Sequence, residues 1–585
     1  MYSDRSKFPW GAIVVVAATV IFGCIILAAL LIPKFLTSTP TVSEPGKTPE
    51  APRGSITVDI SSSNTKEDWM DAVIEQFNAE NHKISSGEGI FVRVEHVTSG
   101  GSQTAILDGK SKPTVWSPGD QSWIDGLNTV WRDRTGKPLI SETCQPTVLA
   151  PIGFAMWRPM AEALGWPDKP ISWDDLVALS EDPQGWASKG HPEWGSFKFG
   201  HTHPDFSNTG MLMMTALAYS NLGQTSGLTA EGVYSEQVKQ AFEGLEKNTY
   251  HYGIQNRPLM QLLAVRGPDY LHAVTSAEAE VLKTNTEYAD TLRFQLVFIF
   301  PSEGTYWSEQ PYCLLEGEWV TDEQKEAAKV FRDYILDTLR QNMTIDYYLR
   351  PVDERIVLRS PLTLENGTDP RVNRSSVPAL ESPSAEVAEA IKDVFHQTKK
   401  KATIVMVLDT SGSMEGDKIK NAISSSVNFV QRLDVNDEIF AFGFSGSTVY
   451  DLGGGRAGDV SEVLARTLSG LFASGGTPLY DAICNAVEYI SNLKAEDDAS
   501  GERRLYGIVL LSDGEDTASS RTENQMFACL PSGENVEGVK IFTIAYGEDA
   551  NTDLMLRIAN RTNGKSFKGD PASIESIYNA ISAEQ

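Results

Sequence analysis

Histidine and cysteine are scarce in this sequence, and their scarcity excludes several kinds of chemistry. The chain of 585 residues has eight histidines and five cysteines, and it contains no Cys-x-x-Cys pair. A zinc site built from cysteine and histidine is therefore not expected. No histidine follows His396, so the C-terminal part of the chain lacks the usual base of a serine nucleophile.

The chain also has a deficit of positive charge. Its 50 lysines and arginines face 78 aspartates and glutamates, which gives a formal net charge of −28. Nucleic acid is excluded as a partner because its phosphates would be repelled. A broad basic surface for binding to a membrane is excluded for the same reason.

Charged residues are missing from one long apolar run, Gly11 to Ile32, which is long enough to cross a bilayer as a helix. Arg5 and Lys7 precede it, and positive residues tend to stay in the cytoplasm. Residues 1–36 are therefore predicted to be a cytoplasmic stub and a single-pass anchor in the cell membrane, the chain's only contact with the bilayer. The alternatives are a cleaved signal peptide and a lipoprotein signal ending at Cys24.

The rest of the chain is expected outside the cytoplasm. Residues 37–54 are rich in proline, serine, threonine and glutamate, and are predicted to be a disordered tether. An even number of cysteines lies beyond the tether, which permits two disulfides in an oxidising compartment. These cysteines are Cys144, Cys313, Cys484 and Cys529.

Strand and helix patterns alternate from residue 55 to about residue 395, which is typical of an α/β fold. The first strand is predicted at Ser55–Ile60, with a helix opening near Ser63. A short amphipathic helix at Ala385–Phe395 leads into three lysines. Residues 55–396 are therefore predicted to form one domain and residues 397–585 another.

The alternation within residues 397–585 predicts a doubly wound sheet, whose functional loops follow the strands. The predicted strands are Thr403–Leu408, Glu438–Ser445, Leu505–Ser512 and Val539–Tyr546. The predicted helices are Lys418–Leu433, Val460–Phe472, Leu479–Leu493, Asp553–Arg561 and Ser573–Ala580.

Polar side chains gather where these strands end. Asp409 closes the first strand, and Ser411 and Ser413 follow at alternate positions, so both hydroxyls can point to one centre. Thr477 follows a pair of glycines, and Asp513 ends another apolar strand. Two carboxylates and three hydroxyls suit a hard divalent cation, Mg²⁺ or else Mn²⁺ or Ca²⁺.

This set of residues resembles the metal-ion-dependent adhesion site of von Willebrand factor type A domains. The resemblance implies that Ser411, Ser413 and Thr477 bind the metal through their hydroxyls. It implies that Asp409 and Asp513 hold metal-bound water, and that a partner protein supplies a carboxylate to the open position. The alternative is a loop whose Ser and Asp cap the next helix. The acids Glu515 and Asp516 are expected to be solvated.

Residues 55–396 carry three segments rich in serine, asparagine and glycine where strands pass into helices. Such helix starts bind small anions or polar ligands, although ordinary capping is the alternative for each. Trp116 is a candidate for stacking on a ligand, or else a core residue. The candidate ligand-binding residues are Ser62, Ser63, Ser99, Gly100, Trp116, Ser207 and Asn208.

With the motifs PTVWSPGDQSW, FGHTHPDFSNTG and FPSEGTYW, this region is similar to bacterial extracellular solute-binding proteins. The resemblance implies a two-lobed α/β domain that closes on a small polar or anionic solute. Cys144–Met156 and Tyr312–Leu315 would then cross between the lobes, and Cys144 would pair with Cys313. Cys484 and Cys529 are the remaining pair.

The prediction is a membrane-anchored, extracytoplasmic bacterial binding protein and not an enzyme. It would use a divalent metal for adhesion to a protein partner and carry a solute-binding module. The alternative is a solute receptor of an ABC-type uptake system, with the metal domain as a docking accessory.

Overall fold

The computed structural model describes residues 51–513, 515–532, 538–547, 550–569, 577 and 581. Within those residues, no helix is both long and apolar enough to span a bilayer. The predicted anchor at Gly11–Ile32 lies outside the described residues. Most of the predicted tether and of the predicted helix Ser573–Ala580 lies outside them too.

Two sheets form the lobes of the first domain, and most of their strands are buried. The strands are β1 (Ile56–Ser62), β2 (Ile90–His96), β3 (Val115–Ser117), β4 (Gln145–Pro146), β5 (Ala150–Trp157), β6 (Phe199–Thr202), β7 (Thr249–Gly253), β8 (Ala273–Ala277), β9 (Leu296–Ile299), β10 (Trp307–Ser308) and β11 (Pro311–Leu314). The first lobe has the strand order β2-β1-β3-β11-β4, and the second has β10-β5-β8-β6-β7 with β9 beside β5.

Helices cover the faces of both sheets. They are α1 (Glu67–Glu80), α2 (Ser99–Leu107), α3 (Gln121–Thr135), α4 (Arg158–Leu164), α5 (Trp173–Glu181), α6 (Asn208–Leu222), α7 (Ala230–Val233), α8 (Glu236–Glu246), α9 (Asn256–Arg266), α10 (Glu278–Glu287), α11 (Asp322–Ile335), α12 (Thr338–Met343) and α13 (Ala385–Thr398). The first strand ends two residues later than predicted, and one 3₁₀ turn at Asn64–Lys66 precedes α1.

The chain crosses between the lobes in two antiparallel segments. One runs from β4 in the first sheet to β5 in the second, and the other runs back from β10 to β11. The first crossing falls within the predicted segment Cys144–Met156. The second was predicted at Tyr312–Leu315, but the chain crosses just before it, between Ser308 and Pro311, because Tyr312–Leu314 already pair within the first sheet as part of β11. A disulfide joins Cys144 to Cys313 beside these segments, which confirms that predicted pair.

The third sheet has the strand order β14-β13-β12-β15-β16-β17, and its strands are parallel except for the edge strand β14. These strands are β12 (Ala402–Asp409), β13 (Glu438–Ser445), β14 (Thr448–Arg456), β15 (Leu505–Ser512), β16 (Lys540–Tyr546) and β17 (Ser566–Gly569). The helices are α14 (Asp417–Arg432), α15 (Ala457–Ser469), α16 (Leu479–Ser500), α17 (Glu523–Cys529) and α18 (Thr552–Arg561).

Both faces of the third sheet are covered by helices. On β12, Met406 packs in one buried cluster with Phe429 of α14, while Val407 packs in another with Ile483 of α16. Successive side chains of a strand point to opposite faces, so an unbroken apolar run is what a doubly covered strand requires. A disulfide joins Cys484 of α16 to Cys529 at the end of α17, confirming the second predicted pair.

The cores of the second lobe and the third sheet are continuous. One cluster of buried residues contains Trp157 of β5, Phe395 of α13 and Met406 of β12. Phe395 makes edge contacts with the rings of His203 and Tyr252. Helix α13 is thus a packed connection between the two parts of the chain.

Candidate functional site

Asp409 and Asp513 lie at the carboxyl edge of the third sheet. They follow neighbouring strands, because Leu408 of β12 pairs with Leu511 of β15. Asp409 is 1% exposed and Asp513 is 8% exposed. Two carboxylates from distant parts of the sequence therefore meet at the edge where parallel sheets place their ligands.

Asp409 organises the loop that follows it. Its Oδ1 accepts a hydrogen bond of 2.8 Å from the backbone N–H of Ser411, and its Oδ2 accepts one of 2.5 Å from the hydroxyl of Ser512. The Oγ atoms of Ser411 and Ser413 lie 3.0 Å apart. The alternate spacing of these two serines brings their hydroxyls together beside a buried carboxylate.

Backbone bonds fix the Thr477 loop to the same edge. The N–H of Gly412 donates to the carbonyl of Gly475 at 2.9 Å, and the N–H of Ser474 donates to the carbonyl of Thr410 at 2.8 Å. A side chain at Gly475 would meet the backbone of Gly446 at 2.8 Å, and its φ of +72° is also unfavourable for other residues. Thr477 itself is 4% exposed.

The charge at this edge is only partly balanced. Burial raises the pKa of Asp409, the Ser411 and Ser512 bonds oppose that rise, and the negative charge of Asp513 adds to it. Lys418 lies near the second carboxylate, with its Nζ 3.8 Å from Asp513 Oδ2. A cation between the carboxylates and the hydroxyls would offset the remaining negative charge.

The donor set fits a hard divalent cation. All five predicted residues offer oxygen, and the hydroxyl oxygens of Ser411 and Ser413 lie 3.0 Å apart, close enough to bind one ion. In the described part of the chain, no three His, Cys, Asp or Glu side chains are grouped as a metal site would group them. A site that uses hydroxyls for most of its ligands does not need such a group.

Asp516 has a different position from the one expected. Its Oδ1 accepts a bond of 2.5 Å from the Ser519 hydroxyl and one of 3.4 Å from the N–H of Tyr480. It therefore anchors its loop to the first turn of α16 and is not simply solvated. The sequence motif gave no indication of Thr410, Ser512 or Lys418, because none of them belongs to its spaced pattern.

The second candidate site is a cleft of about 750 Å³ between the two lobes. Five of the predicted residues line it: Ser63, Ser99, Gly100, Ser207 and Asn208. The starts of α2, α6 and α9 all face this cleft, and first-turn N–H groups have no partner within their own helix. The serine-rich segments thus converge from both lobes on one cavity.

Ser62 and Trp116 do not line the cleft, and this corrects their predicted role. Both are at most 1% exposed. The indole Nε1 of Trp116 donates to the hydroxyl of Ser102 at 2.9 Å inside the first lobe, within the apolar cluster that also contains Cys313. Alternate strand residues point to opposite faces, and Trp116 is on the face packed against α2 and α3.

Lys66 is a cleft residue that sequence reasoning missed. It is 1% exposed, and its Nζ donates to Ser63 Oγ at 2.9 Å, to the Ser117 carbonyl at 2.9 Å and to Gln310 Oε1 at 3.0 Å. Burial lowers its pKa well below the ordinary value. A lysine next to a serine-rich helix start gives no sequence signal of this burial.

The two lobes already touch across the cleft. Trp123 Nε1 of the first lobe donates to Asn208 Oδ1 of the second at 3.2 Å. Nearby, Asp205 Oδ2 is 2.9 Å from His396 Nε2, and the other ring nitrogen of His396 is 3.5 Å from Asp434 Oδ2. His396 therefore connects the cleft wall to the loop that precedes β13.

The second lobe packs against the amino edge of the third sheet. Lys540, at the start of β16, donates from Nζ to the Tyr250 carbonyl at 2.9 Å. The backbone N–H of Lys400, just before β12, donates to Tyr252 Oη at 3.2 Å. Because the strands are parallel, the edge that carries Asp409 lies on the opposite side, away from these contacts.

Comparisons with known proteins assign both parts of the chain. Residues 58–347 match the family model "Bacterial extracellular solute-binding protein", and residues 403–580 match "von Willebrand factor type A domain". An uncharacterized protein of Synechocystis sp. is 27% identical over 183 residues, which are 30% of this chain and 40% of that protein. Inter-alpha-trypsin inhibitor heavy chain H4 of Sus scrofa is 24% identical over 162 residues, 28% of this chain and 17% of that protein.

The matched segments span less than half the length of these two curated relatives. Among solved structures, a periplasmic thiamin binding protein is aligned over 60% of this chain and 99% of its own, at 15% identity and a TM-score of 0.41. The family matches and the three sheets agree on the order of the two parts. The chain has a solute-binding-like domain followed by a von Willebrand factor type A-like domain.

Proposed function

We propose that this protein is a membrane-anchored, extracytoplasmic binding protein that binds a protein partner through a divalent metal ion, and that it is not an enzyme. Ser411, Ser413 and Thr477 would hold Mg²⁺ or Mn²⁺ by their hydroxyls, while Asp409 and Asp513 would bind the metal's water. The metal would supply an open position for a carboxylate of the partner. The single observation that carries the proposal is the pair of serine hydroxyls 3.0 Å apart beside buried Asp409.

The orientation of the third sheet supports this use. Its amino edge is packed against the second lobe through Lys400 and Lys540, so its carboxyl edge points away from that lobe. A partner can reach that edge without disturbing the contact between the domains. The two disulfides, Cys144–Cys313 and Cys484–Cys529, favour an oxidising location outside the cytoplasm.

Titration of the full-length chain with Mn²⁺, followed by electron paramagnetic resonance, tests the metal site. We expect one bound ion per chain, lost on Ser411→Ala because a hydroxyl ligand is removed. The matched control is Ser424→Ala, which changes an exposed serine on α14 and should leave binding unchanged. Absence of binding at millimolar Mn²⁺, or equal binding by the Ser411→Ala variant, would refute the proposal.

The interlobe cleft supports a second function, the capture of a small polar or anionic solute. The carrying observation is the convergence of Ser63, Ser99 and Ser207 from both lobes on one cavity. In this case the protein would serve as the receptor of an uptake system. A thermal-shift screen of small solutes in the presence of EDTA tests it, because stabilisation that survives EDTA must arise away from the metal.

A further inference from the structure

Lys418 lies across the carboxyl edge of the third sheet and not in open solvent. It is the second residue of α14, and its Nζ is 3.8 Å from Asp513 Oδ2, at the end of β15. Its side chain is 31% exposed, compared with 10% for that of Asp513. The ammonium group therefore belongs to the same edge as the candidate metal ligands.

Gly547 makes room for this lysine. It follows β16, has a φ of +98°, and a side chain there would lie 3.1 Å from Lys418 Cε and 3.2 Å from its Nζ. The lysine thus passes directly over the end of β16 on its way to Asp513. A residue with a side chain at Gly547 would push the ammonium group away from the edge.

Lys420 shows what an ordinary lysine of this helix does. It lies two residues further along α14, its side chain is 75% exposed, and its Nζ is 3.3 Å from the exposed carboxylate of Asp417. The two lysines share a helix, a charge and a length. They differ in whether the charge faces the metal edge.

Lys418 changes the balance of charge around a divalent cation bound at the carboxyl edge of the third sheet. Asp409 and Asp513 together balance a divalent cation, so that the three alone would be neutral. With Lys418 included, these four charged groups sum to one positive charge, on a chain whose formal net charge is −28. A partner's carboxylate would otherwise approach a surface that repels it.

We propose that Lys418 sets the selectivity of this edge, weakening its hold on the metal and strengthening the metal-loaded site's hold on carboxylates. The inference rests on the proposed metal function. Lys418 competes with the cation for Asp513, and it attracts an anion once the cation is bound. The charge of Lys418 thus favours the carboxylate that the proposed function assigns to the partner over a neutral oxygen donor such as an amide.

Three variants of the full-length chain test this: Lys418→Met, Lys418→Arg and the control Lys420→Met. Mn²⁺ affinity is measured by paramagnetic resonance, and acetate binding to the Mn²⁺-loaded protein by the relaxation rate of water protons. Lys418→Met should bind Mn²⁺ about fivefold more tightly, since the attraction between unit charges about 4 Å apart, as Lys418 and Asp513 are, is worth about that factor even in water. It should bind acetate more weakly, because the attracting ammonium group is gone. Lys418→Arg and Lys420→Met should both behave as the wild type.

The outcomes separate the two ideas. If the wild type binds no Mn²⁺, the proposed function and this inference both fail. If the wild type binds Mn²⁺ but Lys418→Met has unchanged affinities for metal and acetate, only the role of Lys418 fails. A normal thermal unfolding midpoint for Lys418→Arg shows that the edge tolerates a change at this position without losing its fold.

Discussion

The contact between the cleft wall and the third sheet should weaken as the pH rises above neutrality. His396 lies between the carboxylates of Asp205 and Asp434, and hydrogen bonds from its ring to these two groups raise its pKa from 6.5 to about 9. Its burial and the charge of Lys399 oppose this rise. The charged ring therefore stabilises the folded state fully below pH 6.5, and the stabilisation is lost as the pH rises through 9.

The contribution of His396 to the free energy of unfolding follows from the same pKa shift. A pKa raised from 6.5 to about 9 corresponds to at most ~3.4 kcal/mol. The ring is 38% exposed, so solvent screening reduces the contribution of His396 to about 1–2 kcal/mol. The variant His396→Gln keeps a polar side chain of similar length but cannot become charged.

Urea unfolding of both proteins between pH 6.5 and 9.5 measures this. The wild type should lose about 1–2 kcal/mol of its free energy of unfolding across that range relative to His396→Gln. Below pH 6.5 the pH dependence of stability comes from His203 instead. Burial lowers the pKa of His203 to about 3, so the free energy of unfolding decreases as the pH decreases from 6.5 towards 3. Parallel pH profiles of wild type and His396→Gln above pH 6.5 would refute the reasoning.

Two further predictions concern stability. Arg350 makes two hydrogen bonds of 2.7 Å to Glu278, and both side chains are at most 4% exposed. Arg350→Met leaves the buried carboxylate of Glu278 without its ion-pair partner, so it should lower the free energy of unfolding in urea by about 3–5 kcal/mol. An equal loss in the double variant Arg350→Met, Glu278→Leu would contradict this. The disulfide Cys484–Cys529 closes a separation of 45 residues, so replacing both cysteines with serine should cost about 4 kcal/mol. In a control variant that lacks the Cys144–Cys313 pair, dithiothreitol should lower the thermal unfolding midpoint by reducing the Cys484–Cys529 disulfide. An unchanged midpoint would argue against a stabilising role for Cys484–Cys529.

The strands of the third sheet were predictable where a run of strand-forming residues has clear boundaries. The predictions for Glu438–Ser445 and Leu505–Ser512 match β13 and β15 residue for residue, because each run is bounded by polar or turn-forming residues. Strand β14 was not predicted. It includes three consecutive glycines and lies mostly exposed at the edge of the sheet, so it carries no apolar pattern to detect.

The site was predictable where spacing is local, and not where it depends on distant contacts. Alternate positions in one loop were enough to bring Ser411 and Ser413 together. In contrast, the direction in which Trp116 points depends on which face of the first sheet is covered. Lys66 depends on Gln310, which is 244 residues away, so its burial has no signature in the nearby sequence.

The contact between the two domains was also beyond the sequence. Tyr250, Tyr252 and His396 look like ordinary residues of a strand or a helix. Their partners Lys540, Lys400 and Asp434 belong to the other part of the chain. Only the fold brings these groups together, and it places the edge that carries Asp409 on the far side of the third sheet.

The most direct test of the account is a crystal of this protein soaked in millimolar Mn²⁺ and measured near the manganese absorption edge. The account predicts one anomalous difference peak within bonding distance of the hydroxyls of Ser411, Ser413 and Thr477, absent from crystals of Ser411→Ala. The absence of a peak near these hydroxyls, or a peak that persists in Ser411→Ala at the same occupancy, would contradict the account.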